Sequence, residues 1–344
     1  MAVISVGGGH TTVVGNHNDT ITVFGSGTVI AGDGNDSIDV KGPGTVIVGD
    51  GRDTITIHGD GTVIAGNGKD SIDVKGDGDI IAGKGRDTIT LEGNGAIAAG
   101  SGNDLLTMWG CGTVAAGNGN DTIVVGGDAT LKAGSGNDSI TIWGKGDVSL
   151  GGGNDTISVA WLAQITETKS SGHDTINLGF GNDTIHEAGS ATVHGSFGSA
   201  TIKGGELALS SFGTVIDDVS GKATLVGSSA PTEFLGGSGS TLMKGGSGSD
   251  TFVGGSGHDT MGGTGHHNVF EFLSSEQGGQ HVITNFVSGD HLYIEGYSLS
   301  YLQAHHEVTS HGGNTYISID GGKTTIELQG VKSLSSSDIT THKP

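Results

Sequence analysis

Residues 25–41 read GSGTVIAGDGNDSIDVK, and residues 42–58 repeat the same pattern as GPGTVIVGDGRDTITIH. The aspartate of this pattern recurs every 17 residues along the first part of the chain. The recurring residues are Asp19, Asp36, Asp53, Asp70, Asp87, Asp104, Asp121, Asp138 and Asp155. A short fixed period means that each repeat is one coil stacked on the next, so equivalent residues form columns along the stack.

Each coil contains two Gly-x-Gly turns and two β-branched stretches. This pattern predicts an all-β fold, a two-sheet parallel β-roll or β-solenoid with coils of 17–18 residues, followed by a C-terminal β capping region. Alternation along a strand places the aspartate and the next two alternate apolar residues on one side of the sheet. We therefore predict a buried column of Ile38, Ile55, Ile72, Ile89, Leu106, Ile123, Ile140 and Ile157.

The outward positions of these strands alternate between Thr-x-Thr and Ser-x-Asp from one coil to the next. A carboxylate such as Asp39 then meets its equivalent, Asp73, only two coils away, at about 9–10 Å by the spacing of strands. Lys41 and Lys75 follow these acidic strands. We interpret the alternation as dilution of charge on a stacked face.

The composition narrows the class of protein. The chain has 344 residues, with 69 glycines and only 3 prolines, which excludes collagen and polyproline linkers. Its 37 acidic and 15 basic residues give a net charge of −22, which disfavours nucleic acid and anionic membranes as partners. The single cysteine, Cys111, excludes an internal disulfide. No apolar run approaches the ~20 residues of a membrane-spanning helix, so we predict no transmembrane segment.

The regular pattern changes after Val159. We interpret residues 161–169 as an inserted loop or short helix, after which Asp174 and Asp183 resume at a spacing of nine. Residues 187–234 keep glycine and β-branched stretches without the aspartate column. We therefore divide the chain into a regular solenoid (1–160), degenerate coils with an inserted loop (161–235), consensus nonapeptide coils (236–265) and a C-terminal cap (266–344).

Two tandem nonapeptides carry a resemblance to a known family. Residues 245–253 read GGSGSDTFV and residues 254–262 read GGSGHDTMG, and both match G-G-x-G-x-D-x-U-x. The chain here resembles the RTX family of hemolysin-type calcium-binding repeats. The resemblance implies Ca²⁺ bound between neighbouring turns on the same side. The implied ligands are Asp36, Asp53, Asp70, Asp87, Asp104, Asp121, Asp138, Asp155, Asp174, Asp183, Asp250 and Asp259.

Three departures from the RTX pattern qualify this expectation. The other half of each coil, such as residues 59–63, is shorter and lacks the aspartate, so only one side of the regular solenoid should bind calcium strongly. Arg52, Lys69 and Arg86 directly precede a predicted ligand, and direct neutralisation by these cations would make their coils calcium-poor. In the first coil, His17 replaces a turn glycine, which weakens the case for a site at Asp19.

The C-terminal segment is similar to the module that follows RTX repeats in serralysin-type exported proteins. The matching stretches are FEF at 270–272, HVITNFVSGDHLYI at 281–294 and TTIELQGV at 324–331. The resemblance implies a cap and an uncleaved type I secretion signal, and hence a secreted protein at the cell surface. The histidines of this region show no zinc-ligand spacing.

The start of the chain is in register with the repeat. Shifting back 17 residues aligns Ile4 with Ile21 and Val6 with Val23. An exposed strand edge at the end of a solenoid is a template for another chain. We predict self-association, as a homo-oligomer or filament, through Ala2, Val3, Ile4, Ser5 and Val6.

These observations favour a non-enzymatic, calcium-binding structural protein of a surface layer, biofilm or filament, with cell-surface polysaccharide as a further candidate partner. One alternative is an RTX-type secreted enzyme or polysaccharide-modifying protein using Glu206, Asp217 or Asp218. Adjacent aspartates point to opposite sides of a strand, so this pair is poorly placed for catalysis. A second alternative is an ice- or surface-binding adhesin that uses the Thr-x-Thr rows.

Overall fold

The computed structural model describes residues 3–167, 172–186, 190–203, 206–210, 214–217, 222–226, 231–276 and 278–342. The chain divides into two compact units, Met1–Thr175 and Ile176–Pro344. Both are built from parallel strands, and the first unit is a two-sheet β-solenoid, as the sequence predicts. No helix in the described ranges is long and apolar enough to cross a bilayer.

Sheet A of the first unit contains the strands that follow the aspartates. Each strand pairs in parallel with its equivalent 17 residues later, for example Ile38 with Ile55. Its strands are β1 (Val3–Gly7), β3 (Thr20–Phe24), β5 (Ser37–Val40), β7 (Thr54–Ile57), β9 (Ser71–Val74), β11 (Thr88–Leu91), β13 (Leu105–Met108), β15 (Thr122–Val125), β17 (Ser139–Ile142) and β19 (Thr156–Val159).

Sheet B of the first unit contains the other strand of each coil, also paired in parallel. Its strands are β2 (His10–Val13), β4 (Gly27–Ile30), β6 (Gly44–Ile47), β8 (Gly61–Ile64), β10 (Gly78–Lys84), β12 (Gly95–Ser101), β14 (Gly112–Asn118), β16 (Ala129–Ser135), β18 (Gly146–Leu150) and β20 (Ala163–Glu167).

Two turns of different length join the sheets and define two edges of the first unit. A short turn, residues 41–43 and their equivalents, leads from sheet A to sheet B and forms the short-turn edge. A long turn, residues 48–53 and their equivalents, leads back to sheet A and forms the long-turn edge. The aspartate column lies at the end of the long turn.

The core of the first unit is the thin layer between the two sheets. The predicted column from Ile38 to Ile157, including Leu106, is buried, with at most 2% of each side chain exposed. Sheet B contributes a facing column that includes Val46, Val63 and Ile80. Alternation therefore places the apolar residues inside, as predicted. On the outer face of sheet A, Asp39 is flanked by Thr22 and Thr56, which confirms the predicted separation of carboxylates.

The structure differs from the prediction at residues 161–169. Ala163–Glu167 is a regular strand, β20, paired in register with β18, where the sequence predicts a loop or short helix. Ala163 and Ile165 are fully buried, so the period-2 pattern of a strand outweighs the loss of the glycine signal. The two extra residues of this coil lie between Glu167 and Asp174, in the long turn.

The second unit continues with parallel strands. These are β21 (His173–His186, beginning in the first unit), β22 (Ser190–Lys203), β23 (Glu206–Ser210), β24 (Thr214–Asp217), β25 (Lys222–Val226), β26 (Glu233–Leu235), β27 (Ser240–Lys244), β28 (Thr251–Gly254), β29 (Thr260–Gly262), β30 (Val269–Phe272), β31 (Gln280–Ile283), β32 (His291–Ile294), β33 (Val308–His311), β34 (Asn314–Ile319), β35 (Thr324–Leu328) and β36 (Ile339–Thr340). A short helix, α1 (Leu299–Ala304), and two 3-10 turns, Ser274–Glu276 and Asp320–Gly322, complete it.

Stacked phenylalanines mark the core of the second unit. Phe234, Phe252 and Phe270 stand on successive strands with ring centroids 5.1 and 4.9 Å apart. The pairing becomes antiparallel only at the C-terminal end, where β34 joins β33 and β35. This confirms the predicted C-terminal β region, while the predicted boundaries at 160, 235 and 265 stay predictions.

Candidate metal centre

The aspartate column of the first unit is buried. Asp53 has no exposed surface, and no member from Asp19 to Asp155 is more than 4% exposed. Each aspartate precedes a sheet A strand and points to the same side as the inner isoleucines, as the alternation of β5 and its equivalents requires. The fold thus forces ionisable side chains into the apolar interior at every coil.

One oxygen of each carboxylate is satisfied by the neighbouring coil. The backbone N–H of Asp36 donates to Oδ1 of Asp53 at 2.8 Å, and the N–H of Asp87 donates to Oδ1 of Asp104 at 2.7 Å. The same bond repeats along the column, and it continues across the longer coil from Asp155 to Asp174 at 2.8 Å. The column therefore holds each coil to the next through charge-assisted hydrogen bonds.

The second oxygen of most of these carboxylates has no hydrogen-bond partner within the protein. The buried, unsatisfied Oδ2 atoms are those of Asp36, Asp53, Asp70, Asp87, Asp104, Asp121 and Asp138. A buried charged oxygen without a partner is strongly unfavourable. A row of such atoms is therefore the signature of a cation or proton that completes the site.

The electrostatics of the column lead to the same requirement. Burial raises the pKa of Asp53, Asp87 and Asp121 to about 6 and that of Asp138 to about 7, and repulsion from neighbouring aspartates adds to the shift. Two carboxylates one rung apart, at about 5 Å, repel by about 3 kcal/mol at an effective dielectric constant of 20. The column cannot remain fully ionised unless cations lie among the carboxylates.

Glycine is required in the long turns because neighbouring backbones touch. Gly119 has a φ of +135°, and a Cβ atom there would lie 1.6 Å from the carbonyl oxygen of Gly102. The same close approach recurs through the second glycine of each Gly-x-Gly turn. The longer coil preserves it, since Gly172 meets the carbonyl oxygen of Gly153. Only glycine combines this conformation with this proximity.

A column of exposed asparagines runs beside the aspartates, and the sequence analysis missed its role. Here the bond runs in the opposite direction, because the N–H of Asn137 donates to Oδ1 of Asn120 at 2.8 Å. The 17-residue recurrence of asparagine was the available signal. The column residues are Asn18, Asn35, Asn103, Asn120, Asn137 and Asn154.

Arg52, Lys69 and Arg86 interrupt this asparagine column, where direct neutralisation of the aspartates was expected. No ion pair within the described ranges joins these cations to the aspartate column. The ion pairs of sheet A lie elsewhere, for example between Lys75 and Glu92 at 2.6 Å. Oδ2 of Asp53 remains unsatisfied although Arg52 is adjacent in sequence.

The consensus coils of the second unit carry similar carboxylates. Asp250 is fully buried, and its Oδ1 accepts the N–H of Thr232 at 2.9 Å. Burial raises the pKa of Asp250, and its Oδ2 has no hydrogen-bond partner. Asn268 and Asp290 continue this ladder, and sequence reasoning missed both because neither follows the nonapeptide.

Asp259 has a different environment. Its Oδ1 accepts the N–H of Thr241 at 3.0 Å, and its Oδ2 lies 3.1 Å from Nδ1 of the buried His281. This histidine was also missed, because no periodicity connects it to Asp259. Asp183 is buried as well. Asp218 lies outside the described residues, as do the side chains of Glu206 and Asp217.

The donors form a single file and not a cluster. In the described part of the chain, no group of three or more His, Cys, Asp or Glu side chains is placed to hold a metal ion. A cation in the column would therefore need backbone oxygens in addition to carboxylates. This donor chemistry fits Ca²⁺, which takes carboxylate and carbonyl oxygens together, and does not fit zinc.

Comparisons with known proteins give limited support. No protein-family model matches the chain, and no curated protein is similar to it. Among solved structures, the chain is similar to a hyperactive, Ca²⁺-dependent, β-helical antifreeze protein from an Antarctic bacterium, with 22% identity over 86% of this chain and 87% of that chain, and a TM-score of 0.32. A likeness at this level carries no argument, so membership of the RTX family stays a prediction.

Proposed function

We propose that this protein is a secreted, calcium-binding structural protein of the cell surface or extracellular matrix. The column of buried carboxylates with unsatisfied Oδ2 atoms carries the proposal. The proposed ligands are Asp36, Asp53, Asp70, Asp87, Asp104, Asp121, Asp138, Asp155, Asp174, Asp183, Asp250 and Asp259. Calcium would neutralise these carboxylates, and carbonyl oxygens of the long turns would supply the remaining ligands.

Calcium binding of this kind couples folding to location. An ion that binds only the folded coils stabilises them in proportion to the logarithm of its free concentration. In a compartment poor in calcium, the column would repel itself and oppose stacking. Where calcium is abundant, the coils would close and stiffen, which suits a protein exported by a type I route.

Calcium titration tests this function. We expect the far-UV spectrum to change from disordered to β when calcium is added to chelated protein, and isothermal titration to show several ions per chain. Magnesium at equal concentration is the control, because it requires a stricter octahedral site. An unchanged spectrum together with no calcium heat would contradict the proposal.

Self-association through Ala2, Val3, Ile4, Ser5 and Val6 is part of the proposed matrix role. β1 pairs with β3 in the predicted register, and Val3 is 74% exposed. Within the described residues β3 is the only partner of β1, so its other edge offers backbone groups to another chain. Electron microscopy should show end-to-end particles that disappear when a folded domain is fused before Met1. Particles that persist unchanged would rule out this interface.

Adhesion to a regular surface such as ice is a second candidate, favoured by the outer face of sheet B. Thr28, Thr45 and Thr62 are in register on β4, β6 and β8, beside a parallel row of Ile30, Ile47 and Ile64. The predicted Thr-x-Thr rows of sheet A, by contrast, are interrupted by the ion-paired Asp39 and Asp73. Thermal hysteresis that is lost on Thr45→Lys would support this function.

A further inference from the structure

All three tryptophans of the chain are exposed along one edge of the first unit. Trp109, Trp143 and Trp161 are 57%, 59% and 56% exposed. Each lies in a short turn, at the edge opposite the aspartate column. Tryptophan side chains are usually well buried, so three exposed indoles on one edge indicate a binding surface.

The spacing of the indoles follows from the coil. Trp109, Gly126 and Trp143 occupy the same position on successive coils, which puts the two tryptophans two rungs apart, about 9–10 Å by strand spacing. This separation exceeds the ~4.5–7 Å of contacting aromatic rings, and Gly126 places no side chain between them. A ring midway between the indoles would lie about 5 Å from each, within contact distance.

Polar groups lie on the same short turns. A pocket of about 250 Å³ beside Trp143 and Trp161 is lined by Asp128, Lys145 and Gln164, among others. These side chains offer both donors and acceptors at the border of an aromatic strip. Flat apolar platforms with mixed hydrogen-bonding groups suit a ligand whose rings have apolar faces and hydroxyl-bearing edges.

We propose that the Trp109–Trp143–Trp161 strip binds a neutral glycan chain, with its sugar rings against the indoles. The net charge of −22 opposes an anionic polysaccharide or nucleic acid, and the pocket pairs a lysine with acidic groups and so carries no strong excess of either sign. The inference deepens the proposed surface role by naming its partner. It rests on that proposal only in requiring folded coils, because calcium would lie at the opposite edge.

Intrinsic tryptophan fluorescence reports on this site directly, since the chain has no other tryptophan. The full chain with calcium is titrated with hexasaccharides of β-1,4-linked and β-1,3-linked glucose, with a galacturonate hexamer and with tetramethylammonium chloride. We expect a neutral hexasaccharide to shift the emission to shorter wavelength. Calorimetry should show at least tenfold weaker binding for Trp143→Ala and for Trp109→Ala.

Phe24→Ala is the matched control, because Phe24 occupies the same column five coils away and is 59% exposed. Its affinity for the hexasaccharide should equal that of the parent protein. Binding of the galacturonate or the ammonium salt alone, binding of none of the four probes, or a fall in sedimentation coefficient for Trp143→Ala would overturn the proposal. Loss of the calcium response with glycan binding intact would instead overturn the calcium function alone.

Discussion

The two edges of the first unit solve the same backbone problem with different side chains. At the short-turn edge, Oδ1 of Asp60 accepts the N–H of Asp77 at 3.0 Å, and both side chains are exposed. At the long-turn edge, Oδ1 of Asp87 accepts the N–H of Asp70 at 2.8 Å, but Asp87 is buried and its Oδ2 has no partner. The hydrogen bond is equivalent at the two edges, whereas the desolvation of the second oxygen differs.

This difference shows why the short-turn edge varies and the long-turn edge does not. The short-turn column contains Ser26, Pro43, Asp60, Asp77, Asn94, Cys111, Asp128 and Lys145. Water satisfies any oxygen that the backbone leaves free there, so many residue types are acceptable. A buried column needs a specific counterion, and only a carboxylate at every coil provides the charge for it.

The largest expected effect is a reversal of pH dependence by calcium. Without calcium, protonation removes the buried charges, so stability should be highest below about pH 4 and fall as pH rises through 6–7, the raised pKa values of Asp53 and Asp138. At about 1.4 kcal/mol per pKa unit, this is on the order of 1–3 kcal/mol per site. With calcium, stability should rise over the same range. Urea unfolding midpoints at pH 4.5, 6, 7 and 8 measure both trends, and a calcium-free midpoint that rises with pH would contradict this origin.

Substitution of one aspartate at each edge sharpens the comparison. With calcium, Asp87→Asn should lower the free energy of unfolding by about 3–5 kcal/mol, because it removes half of a buried charge pair. The matched change at the exposed edge, Asp77→Asn, should cost less than about 1 kcal/mol. In calcium-free buffer at pH 8, Asp87→Asn should stabilise the protein, since it removes an unpaired buried charge. Equal losses for both variants would show that burial does not distinguish the edges.

Glycines provide a smaller contrast. Gly119→Ala should cost about 1–3 kcal/mol, because the long turn holds a positive φ and its Cβ would meet the carbonyl of Gly102. Gly126→Ala at the short-turn edge should cost less than about 1 kcal/mol, since Lys41 and Ala160 occupy that column in other coils. Thermal unfolding in calcium separates the two variants. A larger loss at Gly126 would contradict the assignment of the tighter backbone contact to the long turn.

The sequence predicts the columns well because a fixed period determines which residues share a rung. The register of β1 with β3 and the burial of Leu106 follow from counting alone. Periodicity does not show which carboxylate oxygen accepts the neighbouring N–H, so the unsatisfied Oδ2 atoms required coordinates. It also says nothing about contacts outside the repeat, such as His281 with Asp259. The strand at Ala163–Glu167 was missed because the turn signals changed while the apolar alternation persisted.

The smallest expected effect concerns Cys111, which replaces Asp or Asn in the exposed column. Its Sγ accepts the N–H of Asp128 at 3.3 Å, whereas Oδ1 of Asn94 accepts the N–H of Cys111 at 2.8 Å. Sulfur is a weak acceptor, so Cys111→Asn should stabilise the protein by a few tenths of a kcal/mol, up to about 1 kcal/mol. Cys111→Ala, which removes the acceptor, is the control and should be slightly destabilising. Urea midpoints in calcium measure both, and a destabilising Cys111→Asn would show that the column at this edge depends on more than its acceptor.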